Sequence, residues 1–152
     1  MSSQDVDRTD IEIVNDDGTT SESVGRRRVL VVEDSHTVAS VVKYFLELEG
    51  FDVRLAANGR IGLGFALEER PDIIISDMYM PDMDGLELVR TIRANPEMAD
   101  LRILMLTSET SVDCETQVLA AGADDYIVKP IEPRRLAARV KVLFSRSRHR
   151  AA

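Results

Sequence analysis

From Arg28 onward, short β-branched runs alternate with longer stretches in which apolar residues recur every three or four positions. The runs are Val29-Leu30-Val31-Val32, Val53-Arg54-Leu55, Ile73-Ile74-Ile75, Ile103-Leu104-Met105-Leu106 and Tyr126-Ile127-Val128. Their length and β-branched content predict strands. Val38, Val41, Val42, Phe45 and Leu48 hold helical spacing, with Ser35 as a candidate N-cap and Gly50 as a stop. Leu136, Val140, Leu143 and Phe144 repeat that stripe behind Pro133, which suits a first helical position. Further helices are predicted after Asp84, after Ser108 as far as Gly122, and between Asn58 and Arg70. The last is the poorest, because Gly62 and Gly64 each cost it roughly 1 kcal/mol relative to Ala.

Five strands alternating with helices predict an α/β fold with a parallel sheet covered on both faces, since parallel strands need crossover connections. The runs at 29–32, 73–75 and 103–106 are apolar on both faces, as interior strands are. Phe51-Asp52-Val53-Arg54-Leu55 alternates, as an edge strand does. A flavodoxin-like, doubly wound sheet in the order 2-1-3-4-5 fits, and it puts a site beyond the carboxyl ends of strands 1 and 3.

The length of 152 residues suits one domain, and the composition is that of an ordinary globular protein. The single cysteine, Cys114, excludes a disulfide framework and a four-cysteine zinc site. No apolar run is long enough to span a bilayer, and the first ten residues lack the apolar core of a secretory signal, so a cytoplasmic setting is expected. Charge divides the chain. Residues 1–25 carry seven acids against one base, whereas residues 26–152 carry 20 acids and 18 bases. The acidic arm, 1–25, is too poor in apolar residues to offset its ordering entropy and is expected to be disordered. The folded domain is expected over 26–146, with a basic tail at 147–152.

Glu33-Asp34 follow strand 1, Ser76-Asp77 end strand 3, Thr107-Ser108 end strand 4 and Lys129-Pro130 end strand 5. Three carboxylates then converge where strands 1 and 3 lie side by side, and like charges so close disfavour joint ionisation without a cation. A hard divalent ion that keeps several waters suits such a cluster, with Mg²⁺ the leading candidate. Taken singly, Asp34 or Ser35 also reads as an N-cap, Asp77 as a turn residue before Pro81, Thr107 or Ser108 as a helix cap, and Lys129 as a solvated lysine. Their joint placement at strand ends is hard to explain by capping.

The stretches V-L-V-V-E-D-S (29–35), A-A-N-G (56–59), I-I-I-S-D-M-Y-M-P-D-M-D-G (73–85), M-L-T-S-E (105–109) and A-G-A-D-D-Y-I-V-K-P (121–130) resemble the receiver domains of two-component response regulators. The resemblance covers about residues 27–146. It implies that Asp77 accepts a phosphoryl group and that Asp34 ligates Mg²⁺ directly, with Glu33 acting largely through water. The Met78 backbone carbonyl would complete the ligand set. It further implies Thr107 as the switch hydroxyl, Lys129 as the site lysine, Tyr126 as the switch aromatic and a cis bond before Pro130. Ser108 stands where many members carry alanine. The expected function is a signalling switch, not an enzyme beyond its own phosphorylation and dephosphorylation. Its expected donor is a histidine kinase or histidine phosphotransfer protein.

Two alternatives bear on that expectation. A receiver cut from a longer regulator fits as well as a stand-alone one, since the chain leaves no space for an effector domain. A haloacid-dehalogenase-type phosphatase needs a second acid two residues after the nucleophile, and Tyr79 stands there. A glycine-rich nucleotide turn is absent after strand 1.

The resemblance assigns output to the helix 4–strand 5–helix 5 face, where Arg134, Arg135, Arg139 and Lys141 are expected to meet Asp113 and Glu115 of a second copy in a weak, phosphorylation-favoured homodimer. Nucleic-acid binding by Arg146, Arg148 and Arg150 ranks below this, for lack of interleaved aromatics. His36 is read as a surface residue, His149 as part of the basic tail, and Cys114, Met78, Met80 and Met83 as packing. Asp124-Asp125 are read as the start of strand 5.

Overall fold

The structure, a computed structural model, describes residues 26–146 together with the backbone of Ile13–Val14 and Thr20–Ser21. Ten elements alternate through it: β1 (Arg28–Val32), α1 (His36–Leu48), β2 (Asp52–Ala56), α2 (Gly59–Glu69), β3 (Ile73–Asp77), α3 (Gly85–Ala94), β4 (Arg102–Thr107), α4 (Val112–Ala121), β5 (Asp125–Val128) and α5 (Pro133–Ser145). The strands form one parallel sheet in the order β2-β1-β3-β4-β5, as the apolar patterning predicts. In the acidic arm, expected to lack order, Ile13–Val14 pairs antiparallel with Thr20–Ser21. Three of those four residues are β-branched, which suits a short ladder, although two strands alone are only marginally stable. The rest of the arm and the basic tail at 147–152 lie outside the described residues.

Period-two alternation sorts each interior strand between two cores. Leu30, Ile74, Ile103 and Met105 pack with Ala66, Leu88, Val89, Ile92 and Val118 of α2, α3 and α4. Val29, Val31, Ile73, Ile75, Leu104 and Leu106 point the other way, onto Val42 and Leu46 of α1 and Leu136, Val140 and Leu143 of α5. Every side chain of β3 is buried, as befits the central strand. Burying one such leucine or isoleucine is worth about 1.5–3 kcal/mol.

The helix starts follow side-chain caps. Ser35 Oγ accepts from the Val38 amide at 3.3 Å and Asn58 Oδ1 from the Ile61 amide at 2.8 Å. Asp84 Oδ1 accepts from the Glu87 amide at 2.8 Å. Pro133 lies in the first turn of α5, capped by Glu132. One boundary differs from expectation. Helix α4 begins at Val112 with Ser111 as its cap, whose Oγ accepts from the Cys114 amide at 3.1 Å. Thr107 and Ser108 therefore cap nothing, and an exposed loop separates them from the helix.

Arg93 closes the far side of the domain. Its guanidinium donates to the Gly122, Ala99 and Leu101 carbonyls and meets Asp124 at 3.1 Å, and Asp124 also accepts from the Ile103 amide at 2.8 Å. Asp125 is the first residue of β5, as expected, and Asp124 immediately precedes it.

The two glycines that weaken α2 have different reasons to be there. A Cβ on Gly62 would sit 2.7 Å from Val32 Cγ2 of β1, so α2 lies closer to the sheet than any side chain allows. A Cβ on Gly64 would meet nothing within 4 Å. Gly64→Ala should therefore stabilise the fold by roughly 0.5–1 kcal/mol, from helix propensity alone. Gly62→Ala should destabilise it by about 1–3 kcal/mol through overpacking. Urea unfolding midpoints at constant slope would read both; shifts in the same direction would contradict the close seating of α2 on β1.

Candidate phospho-acceptor site

The register of the sheet assembles the site. Val32 pairs with Ser76 across β1 and β3, so the next residue on each strand, Glu33 and Asp77, leaves the sheet side by side. Asp77 pairs in turn with Leu106 on β4, one residue before Thr107. Lys129 follows Val128, the partner of Thr107 on β5, and its long side chain returns across β4 to the carboxylates. Lys129 Nζ lies 3.0 Å from Asp77 Oδ1 and 3.3 Å from Glu33 Oε1. Carboxylate oxygens of Glu33, Asp34 and Asp77 all lie within 4.8 Å of one another. Asp34 is exposed, whereas Glu33 and Asp77 are only 3% and 7% exposed.

Local hydrogen bonds hold each group. The Ser35 amide donates to Glu33 Oε2 at 3.0 Å, so both Glu33 oxygens have a donor. With Ser35 Oγ as the cap of α1, Asp34 is not the capping residue. The Met78 amide donates to Asp77 Oδ1 at 2.9 Å, the same oxygen that Lys129 meets, so neither contact occupies Oδ2. The Met78 carbonyl accepts from the Gly85 amide at 2.8 Å and keeps its second lone pair. Gly85 makes that approach feasible, since a Cβ there would lie 2.5 Å from the Asp77 carbonyl oxygen. Met78 and Met80 are buried and Met83 packs against the same core, as read from the sequence. The Lys129–Pro130 bond is cis.

The electrostatics follow from crowding. Burial pushes the Glu33 carboxyl above its ordinary value of 4.5, and the neighbouring charge of Asp77 adds to the push, against the Ser35 amide and Lys129. For Lys129, burial acts downward, but hydrogen bonding and attraction to Asp77, with Glu33 behind, hold it above the ordinary lysine value. It is a fixed positive charge at neutral pH.

Thr107 is fully buried at the end of β4, and its hydroxyl faces α4. It accepts from the Glu109 amide at 3.1 Å and lies 3.8 Å from Cys114 Sγ. Tyr126 is partly buried against the α2–α4 core, and a hydrogen bond to Glu115 raises its pKa above the ordinary tyrosine value. The Tyr79 hydroxyl donates to Glu109, which pushes it up to about 12. Glu33, Asp34, Asp77 and Lys129 thus share one cluster, with Thr107 on the strand between; Tyr126 stands outside it.

Comparison with known proteins identifies the family. Residues 29–141 match the family model described as the response regulator receiver domain. The chain belongs to that family. It is 38% identical over 121 residues to the alkaline phosphatase synthesis transcriptional regulatory protein PhoP of Bacillus subtilis, covering 80% of this chain and 50% of that protein. It is 40% identical over 120 residues to response regulator MprA of Mycolicibacterium vanbaalenii, covering 79% and 51% respectively. This receiver therefore spans about half the length of the curated relatives it matches. Among solved structures, chemotaxis protein CheY4 of Vibrio cholerae superposes with a TM-score of 0.74 at 37% identity, covering 78% of this chain and 98% of that one. A response regulator from Chloroflexus aurantiacus gives 0.76 at 36% identity, covering 80% and 99%. The fold is that of the CheY-like receivers. Among the described residues, no helix is long and apolar enough to cross a membrane.

Some contacts of the receiver site escape sequence reading. Cys114, read as packing, also touches the Thr107 hydroxyl. Glu109 lies inside a matched motif, but its bond to Tyr79, 30 residues away, leaves no periodic trace. On the expected output face, Arg139 is engaged by Asp125 at 2.6 Å. Lys141 pairs with Glu49, the residue capping the C-terminus of α1, because α5 packs beside α1.

Proposed function

We propose that this receiver takes its phosphoryl group on Asp77, from a phosphohistidine of a histidine kinase or histidine phosphotransfer protein. The observation that carries the reading is the Lys129 ammonium, 3.0 Å from Asp77, within an acidic cluster whose Glu33 and Asp77 are buried. Asp77 Oδ2 attacks phosphorus as the donor's P–N bond breaks; the histidine nitrogen leaves with that electron pair and an acyl phosphate forms. Such transfers depend on positioning and on neutralising the phosphoryl oxygens. Lys129 supplies one fixed charge. The donor set of hard oxygens fits a magnesium ion, with Asp34, Asp77 and the free lone pair of the Met78 carbonyl as direct ligands and Glu33 acting through water. Bound there, Mg²⁺ supplies charge opposite the phosphoryl oxygens. The product adds about −1.5 to −2 charges, by analogy with other phosphorylated side chains. Thr107 then hydrogen-bonds it, the β4–α4 loop moves inward, and Tyr126 follows.

Output passes through the α4–β5–α5 face. Exposed Arg134 and Arg135 on α5 and Asp113 on α4 remain as complementary charges for a weak homodimer or a downstream protein. A cytoplasmic setting suits such a switch, and the folded unit runs over 26–146.

Two measurements test this reading. Incubation with acetyl phosphate and Mg²⁺ should add one base-labile phosphoryl group, trapped by borohydride at Asp77. Asp77→Asn should abolish labelling without unfolding the chain; label trapped at another aspartate would overturn the assignment. Mg²⁺ titrations over roughly pH 5 to 8 should show affinity falling as pH drops. The sign follows from Glu33: its raised carboxyl takes up a proton above 4.5, removing negative charge beside the ion. Glu33→Gln should flatten this early loss with a modest drop in affinity, and Asp34→Asn should weaken binding throughout. Parent-like Mg²⁺ affinity in Asp34→Asn would contradict the ligand set.

A further inference from the structure

The β4–α4 loop is unusual in what holds it. From Ser108 to Asp113 every side chain is exposed, so no apolar packing fixes the path between buried Thr107 and buried Cys114. Polar contacts decide where such a segment sits. Glu109 makes two of them. Its amide donates to the Thr107 hydroxyl at 3.1 Å, and its carboxylate accepts from Tyr79 on the β3–α3 loop. At the other end of the segment, Glu115 lies near enough to Tyr126 to raise its pKa above the ordinary tyrosine value. Tyr79 is therefore tied to the same residue, Glu109, whose amide holds the Thr107 hydroxyl.

We propose that Tyr79 is a positioning residue for the switch: a tether from the β3–α3 loop that holds the β4–α4 loop, and with it the Thr107 hydroxyl, in the resting arrangement. The inference rests on the reading of Asp77 as acceptor and Thr107 as the hydroxyl that turns toward it. For Thr107 to reach a phosphoryl group, its hydroxyl must leave the Glu109 amide. The loop that carries Glu109 then moves, and the Tyr79 bond is lost with it. Breaking that bond is part of the cost of switching. Tyr79 touches neither core: it is 51% exposed, and its ring is free to lose a hydroxyl without leaving a cavity. Removing the hydroxyl raises the energy of the resting state alone, and the population shifts toward the switched one.

The test is an NMR titration of the full chain with beryllofluoride and Mg²⁺, following the Thr107 amide and the Tyr126 ring in the parent, in Tyr79→Phe and in Glu109→Gln. In the parent, these signals define a resting and a saturated position. Before any beryllofluoride is added, Tyr79→Phe should already lie part-way along the line joining the two. Its midpoint should fall by roughly 2- to 10-fold, the range that one net hydrogen bond covers. Glu109→Gln, which keeps an acceptor, should fall between the parent and Tyr79→Phe. Tyr126 is the decisive reporter, because it lies on β5, which β4 separates from β3 and the loop that carries Tyr79. A Tyr79→Phe spectrum that starts at the parent's resting position, with an unchanged midpoint, would overturn the tether. A parent whose signals ignore saturating beryllofluoride and Mg²⁺ would instead overturn the acceptor reading beneath it.

Discussion

Three carboxylates crowd the carboxyl ends of two adjacent strands, and the site depends on tolerating them there. With their oxygens within 4.8 Å, two full charges repel by about 3 kcal/mol or more at an effective dielectric of 20. Lys129 offsets part of this by lying between Asp77 and Glu33, and backbone amides of Ser35 and Met78 offset more. The balance is left negative. That deficit makes the cluster more favourable with a cation beside it than without one.

The fold supplies what this crowding requires. Parallel register between β1 and β3 makes Glu33 and Asp77 neighbours whether or not their charges favour it. The surrounding strands are among the most buried in the protein, so the repulsion cannot relax by backbone movement. Relaxation is confined to the loops beyond the strand ends. There the β4–α4 segment has exposed side chains and polar anchors, the features of a part that can move at low cost. A stiff sheet that fixes the charges thus meets a loosely held loop at the strand ends.

Much of this was legible in the chain. The apolar runs and their flanking carboxylates are local signals, and they located the five strands, their order, and Glu33, Asp34, Asp77, Thr107 and Lys129. The start of α4 was displaced because Thr107, Ser108 and Ser111 are all chemically fit to cap, and only the backbone path selects Ser111. The pairing of Lys141 with Glu49 is not legible, because a helix stripe gives spacing, not which neighbour each polar residue meets. The Tyr79–Glu109 bond joins two loops, where side-chain direction follows no period. Gly62 read as a defect in α2 until Val32 was seen against it.

The most direct test of stored repulsion is the stability of Asp34→Asn in metal-free buffer at neutral pH, measured by urea unfolding beside the parent. Asp34 is exposed, so the change removes one like charge and leaves the packing intact. The account predicts a variant more stable than the parent by up to about 1 kcal/mol, with the advantage shrinking or reversing once Mg²⁺ is added, because the parent gains more from the ion. A variant less stable than the parent without metal would contradict it.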